Sequence, residues 1–130
     1  MLIQIFSIQV QTSLQERTTI LGKFNKVRRL VGVVITEIIE KIAIKEGVEK
    51  EKLMTLSLIA YLNEKKKKYM EERLEILKRH NVKSAKELEE KIRRGEVNEH
   101  PAWEDLITLE NLEELINEIS DDIRNLQKAL

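Results

Sequence analysis

Residues 101–130 read PAWEDLITLENLEELINEISDDIRNLQKAL, and this stretch decides the fold. Leu109, Leu112, Ile116, Ile119, Ile123, Leu126 and Leu130 follow one another at gaps of 3, 4, 3, 4, 3 and 4. That is heptad spacing, which lays one narrow apolar seam along a helix. Thirty helical residues span roughly 45 Å at 1.5 Å per residue. Such a helix does not stand alone in water with its seam wet. A second helix must lie along it, from this chain or from another copy. Pro101 suits the first helical position, where its missing N–H costs nothing. Glu104 and Asp105 then fall near the positive end of the helix.

The nearest candidate to face this seam is residues 49–80. Their first half is apolar nearly all round, with Leu53, Met54, Leu56, Leu58, Ile59, Tyr61 and Leu62. The middle, Asn63 to Lys68, is polar on every face, and the second half narrows to Tyr69, Met70, Leu74 and Leu77. Between the two arms, Asn81 and Val82 make a turn. Ser84 and Glu87 have the spacing of a capping box, and a short helix follows to Arg94 with Leu88 and Ile92 inward; Gly95 ends it. This short helix reverses the chain, so Leu74 or Leu77 should reach the seam near Leu109 or Leu112. Charge agrees: residues 49–80 carry 9 basic and 6 acidic side chains, whereas residues 101–130 carry 2 and 8.

The first 48 residues hold 7 basic and 4 acidic side chains. Val27, Leu30, Val31, Val34, Ile35, Ile38, Ile39 and Ile42 recur at helical spacing, predicting a helix from about Phe24 to Glu46 closed by Gly47. Ahead of it, Ser13 and Glu16 fit another capping box, with a short helix to Leu21 before Gly22. Residues 2–11, rich in β-branched side chains and partly alternating, read either as a flexible or apolar-anchored tail or as one short strand that needs a second copy to pair with. The expected fold is therefore all-α: a small helical bundle with a long antiparallel helical hairpin, to which the strand reading of residues 2–11 would add one short N-terminal strand. It forms a single domain, with residues 1–22 an N-terminal extension, 23–80 the core helices and 84–130 the return arm.

Composition supports this reading. The chain has 130 residues, 35% charged and 4% aromatic, with four Gly, one Pro and no Cys. Scarce turn residues argue against a many-stranded fold. Without Cys there is no disulfide framework and no thiolate chemistry. The richness in Lys, Glu and Ile suits a thermophile. No run approaches the ~18 apolar residues of a membrane span. Residues 1–10 lack the basic start and small-residue cleavage site of a secretory signal, so a cytoplasmic protein without membrane contact is expected.

Residues able to do chemistry are few. His80 and His100 lie twenty apart in or beside turns, without Cys or carboxylates at ligand spacing. Glu37 with Glu40, and Glu71, Glu72 and Glu75, could hold Mg²⁺ as helical pyrophosphohydrolases do, but those sites also need an acidic pair containing Asp, and the first Asp here is Asp105. A solvated helix face is the simpler reading. Lys65, Lys66, Lys67 and Lys68 could meet phosphates, yet consecutive helical residues point in all directions, and no aromatic stacking pattern accompanies them. No catalytic residue, cofactor or metal is expected. Trp103, at the start of the last helix, is either a core plug or a recognition anchor.

The stretches HNVKSAKELEEKIRRGEV (80–97) and EHPAWEDL (99–106) resemble small antitoxin-like proteins of archaeal toxin–antitoxin gene pairs. The likeness covers about residues 50–120, a long helix, a turn, a short helix and an acidic, Trp-containing last helix. It implies a non-enzymatic protein that binds and neutralises a partner protein encoded beside it. The contacts would come from Trp103, Glu104, Asp105, Leu109, Leu112, Ile116 and Ile119 on the acidic C-terminal helix. The alternative is a nucleic-acid-binding regulator using Lys65–Lys68 with Lys23, Lys26, Arg28 and Arg29. Finally, the wide apolar face of residues 27–42 and the seam running to Leu130 both favour a homodimer that buries Val31, Val34, Ile38 or their neighbours, with Ile3–Val10 paired across its axis.

Overall fold

A computed structural model describes the backbone of residues 2–130 and the side chains of residues 13–130. The chain is all-α. Among the described residues four helices follow in order: α1 (Leu2–Glu46), α2 (Lys50–Arg79), α3 (Ala85–Arg93) and α4 (Glu99–Lys128). It divides into two compact units, Met1–Lys50 and Glu51–Leu130. Among the described residues, no helix is long and apolar enough to cross a membrane.

The first unit is α1 with its closing turn. The short strand expected over residues 2–11 is not formed, and those residues are the opening turns of α1. A lone strand leaves its backbone groups unpaired, whereas a helix satisfies them within the segment. The capping box expected at Ser13 is also absent, because Ser13 lies inside the helix. Gly22 does not stop the helix either. An interior glycine costs about 1 kcal/mol, too little to break a helix of 45 residues. Gly47 does stop it. Its φ is +66°, its N–H donates to the Ile44 carbonyl (3.2 Å), and the Val48 N–H donates to the Ala43 carbonyl (3.0 Å). This pair of bonds is the Schellman closure, which a glycine adopts without a Cβ clash.

The second unit is the hairpin. The turn after α2 is closed at Asn81, whose φ is +51°, with Val82 N–H donating to the Leu77 carbonyl (3.0 Å) and Asn81 N–H to that of Lys78 (3.1 Å). Ser84 caps α3 by accepting the Glu87 N–H (3.2 Å). The Glu87 carboxylate reaches back to the Lys83 N–H (2.7 Å), one residue beyond the usual capping-box partner. Gly95, at φ +69°, closes α3 with the same Schellman bonds. His100 is extended (ψ 114°), as the residue before a proline prefers, so the regular part of α4 starts at Pro101.

Two ion pairs fix how α4 runs against α2. Arg73 donates to Glu113 through Nε (3.1 Å) and Nη2 (3.0 Å), and Arg79 donates to Asp105 (2.9 and 3.1 Å). Residue numbers rise on one helix as they fall on the other, so the arms are antiparallel. The core fills the closed end: Ile76 and Leu77 from α2, Val82, Ala85, Leu88 and Ile92 around α3, and Ala102, Leu106, Leu109 and Leu112 from α4. Leu77 thus joins Leu109 and Leu112, as the seam requires, while Leu74 is half-exposed. Leu88 and Leu109 are fully buried. Farther along α4, Ile119 and Ile123 are buried too.

Candidate functional site

The seam of α4 is largely used inside the hairpin. Of the residues expected to meet a partner, Leu109, Leu112 and Ile119 are buried and hold the fold together. Asp105 is also committed to the fold. It accepts from Arg79 and lies 2.6 Å from His80 Nε2, forming a staple at the closed end of the hairpin. Burial pushes the Asp105 carboxyl up, but the hydrogen bonds from His80 and Arg79 and the guanidinium charge outweigh it, and its pKa falls below the ordinary 3.8. Lys91 ties the same corner by donating to the carbonyls of His80 (3.2 Å) and Asn81 (3.0 Å).

The opposite side of α4 is free of these tasks. Trp103 and Ile107 are exposed at 42% and 56%. Glu110, Glu114, Glu118 and Asp121 are exposed after them. Steps of 3 and 4 keep these six residues on one face of the helix. Among the described residues, Glu110, Glu114 and Glu118 form no ion pair, while Asp121 accepts from Arg124 one turn away (2.9 Å). Two apolar anchors therefore head a column of negative charge. Glu104 is exposed beside the column and lies 3.5 Å from His100 Nδ1. Trp103 is too exposed to be the core plug that its position also allowed, and the column below it was not foreseen. Its signal was present as a second 3,4 row, hidden because the apolar row draws attention to the other face.

Between the arms lies an open groove of about 800 Å³. Met70, Leu74 and Ile116 give it an apolar floor, and Lys66, Lys67, Glu71, Arg73 and Glu113 give it charged walls. Ile116, the remaining seam residue expected to bind a partner, faces this groove half-buried. The side chains of the lysine run differ in their surroundings. Lys66 is half-buried in the groove, Lys65 Nζ stands 5.9 Å over the Tyr69 ring, and Lys67 and Lys68 are exposed. On α1, Lys23, Lys26, Arg28 and Arg29 are exposed. Among the described residues, no group of three or more His, Asp or Glu is gathered to hold a metal ion.

The chain belongs to the uncharacterized protein MJ0235 family, whose model matches residues 30–129. The matched region takes in the whole hairpin and the last part of α1. No curated protein and no solved structure matches the chain.

Proposed function

We propose that this chain is a non-enzymatic, antitoxin-like binding module that grips and neutralises a basic partner protein through the outer face of α4. The observation that supports this most is the exposed row Trp103, Ile107, Glu110, Glu114, Glu118 and Asp121. A half-exposed tryptophan beside an aliphatic residue supplies the kind of anchor that dominates interface energies. The carboxylates steer a positively charged surface and fix its register. The buried seam behind them packs the helix into the hairpin core, so the outer row is already ordered before binding. The partner accordingly meets the outer column, and the seam residues Leu109, Leu112 and Ile119 serve by holding that column in place.

The partner to test is the protein encoded beside this one. Titrating it against the full chain should change the emission of Trp103, the single tryptophan, and affinity should fall with added salt. Trp103→Ala should weaken binding about tenfold or more. The pair Glu114→Lys and Glu118→Lys should weaken it further through like-charge repulsion. Binding unchanged by these substitutions, or no binding, would refute the reading. A salt-sensitive shift on duplex DNA, without protein binding, would favour the basic residues of α1 instead.

A further inference from the structure

The hairpin buries its seam, but α1 does not. Ile20, Phe24, Val27, Val31, Val34 and Ile38 repeat at gaps of 4, 3, 4, 3 and 4, and each is more than half exposed. Arg17 and Lys41 occupy the next positions of the row and bound it at each end. Leu21, Leu30, Ile35 and Ile42 flank the row and are also exposed. A face of this kind in a soluble helix is completed by another helix.

We infer that α1 pairs with α1 of a second copy in an antiparallel two-stranded coiled coil, making the protein a two-fold dimer. Three features of α1 support this pairing. The first is size. Ten half-exposed apolar side chains, each giving up roughly 50–60 Å², bury about 1,000–1,200 Å² for the pair, where specific interfaces begin.

The second is the kind of side chain in the row. Heptad positions alternate, so Phe24, Val31 and Ile38 form one set (a) and Ile20, Val27 and Val34 the other (d). Parallel two-stranded coils favour leucine at d, and β-branched residues there work against them.

The third is charge. With the row antiparallel, Ile20 lies opposite Ile38 of the other copy, Phe24 opposite Val34, and Val27 opposite Val31. The flanks then bring Lys23 beside Glu37 of the other copy, twice by symmetry. They also bring Leu30 beside Leu30, and Leu21 beside Ile35. Arg28 meets its own copy once at the axis. A parallel pair would instead set Lys23 against Arg28 twice and gain no attraction at either flank.

The test uses the full chain. Light scattering at micromolar concentration should give twice the 15.3 kDa chain mass. Val34→Glu should give a monomer, because it places a charge in the row. Lys23→Glu and Glu37→Lys, on the exposed flank, should each weaken dimerisation about tenfold, and the double swap should restore it. In a parallel pair Lys23→Glu would face Arg28 and tighten the dimer, so the sign of this one change separates the two orientations. Tightening by Lys23→Glu overturns the inference. So does a monomeric or larger wild-type assembly, or a face that associates only with lipid vesicles or with a different protein.

Discussion

α4 and α1 carry the same spacing of apolar residues and meet opposite fates. On α4 the row is buried where α2 and α3 close over it, with Leu109 fully covered. On α1 the row from Ile20 to Ile38 stays more than half exposed. Periodicity therefore specifies a helix and the side it must cover, and says nothing about where the cover comes from. For α4 the cover lies within the chain, because the turn at Asn81–Val82 and the capped α3 reverse the chain onto it. After α1 the chain also turns, at Gly47, yet the α1 row remains open.

That contrast is broken most sharply by trimming each row. Leu109→Ala should destabilise the second unit by about 2–5 kcal/mol, since a fully buried leucine leaves a cavity. Its effect, read from the chemical-denaturation midpoint, should not depend on protein concentration. Val34→Ala should act mainly through association, and its effect should fade on dilution. A concentration-independent loss of several kcal/mol for Val34→Ala would mean that the two rows are alike.

A smaller effect lies at the staple. Asp105→Asn should cost about 1–3 kcal/mol at neutral pH by weakening the charged hydrogen bonds to Arg79 and His80. The sign with pH follows from the lowered carboxyl. Just below 3.8 the unfolded chain binds a proton that the folded chain still refuses, so stability rises with pH in that window. The contribution is complete above that value and drains away as pH falls through the folded pKa. The gap between the wild-type protein and Asp105→Asn should therefore narrow in acid, as followed by denaturation at stepped pH.

Much of this was legible because it is local. Gly47, Asn81 and Gly95 each sit where a Schellman closure needs positive φ. Ser84 and Pro101 mark helix starts, and the 3,4 rows mark faces. What was not legible was set by competition between weak local signals. The β-branched run at residues 2–11 suits a strand, but nothing pairs with it and the helix continues through it. Ser13 and Gly22 look like a start and a stop, yet each is overridden by the length of α1. The acidic column of α4 escaped because it is defined by what the seam leaves behind, and burial is decided by packing. The Arg79–Asp105–His80 staple joins residues about 25 apart, and no spacing rule connects them.

The smallest effect tests the glycine argument. Nothing lies within 4 Å of a Cβ built on Gly22 or Gly32. Gly22→Ala should therefore raise the stability of α1 by about 0.5–1 kcal/mol, seen as higher thermal stability of helical circular dichroism. Gly22 lies outside the row, so dimerisation should survive the change.

The most direct measurement is amide hydrogen exchange of the full chain over a range of concentrations. Protection of residues 20–42 should rise with concentration, while protection of residues 102–126 should stay constant. Protection of residues 20–42 that is independent of concentration, or a concentration dependence confined to α4, would contradict the pairing through α1.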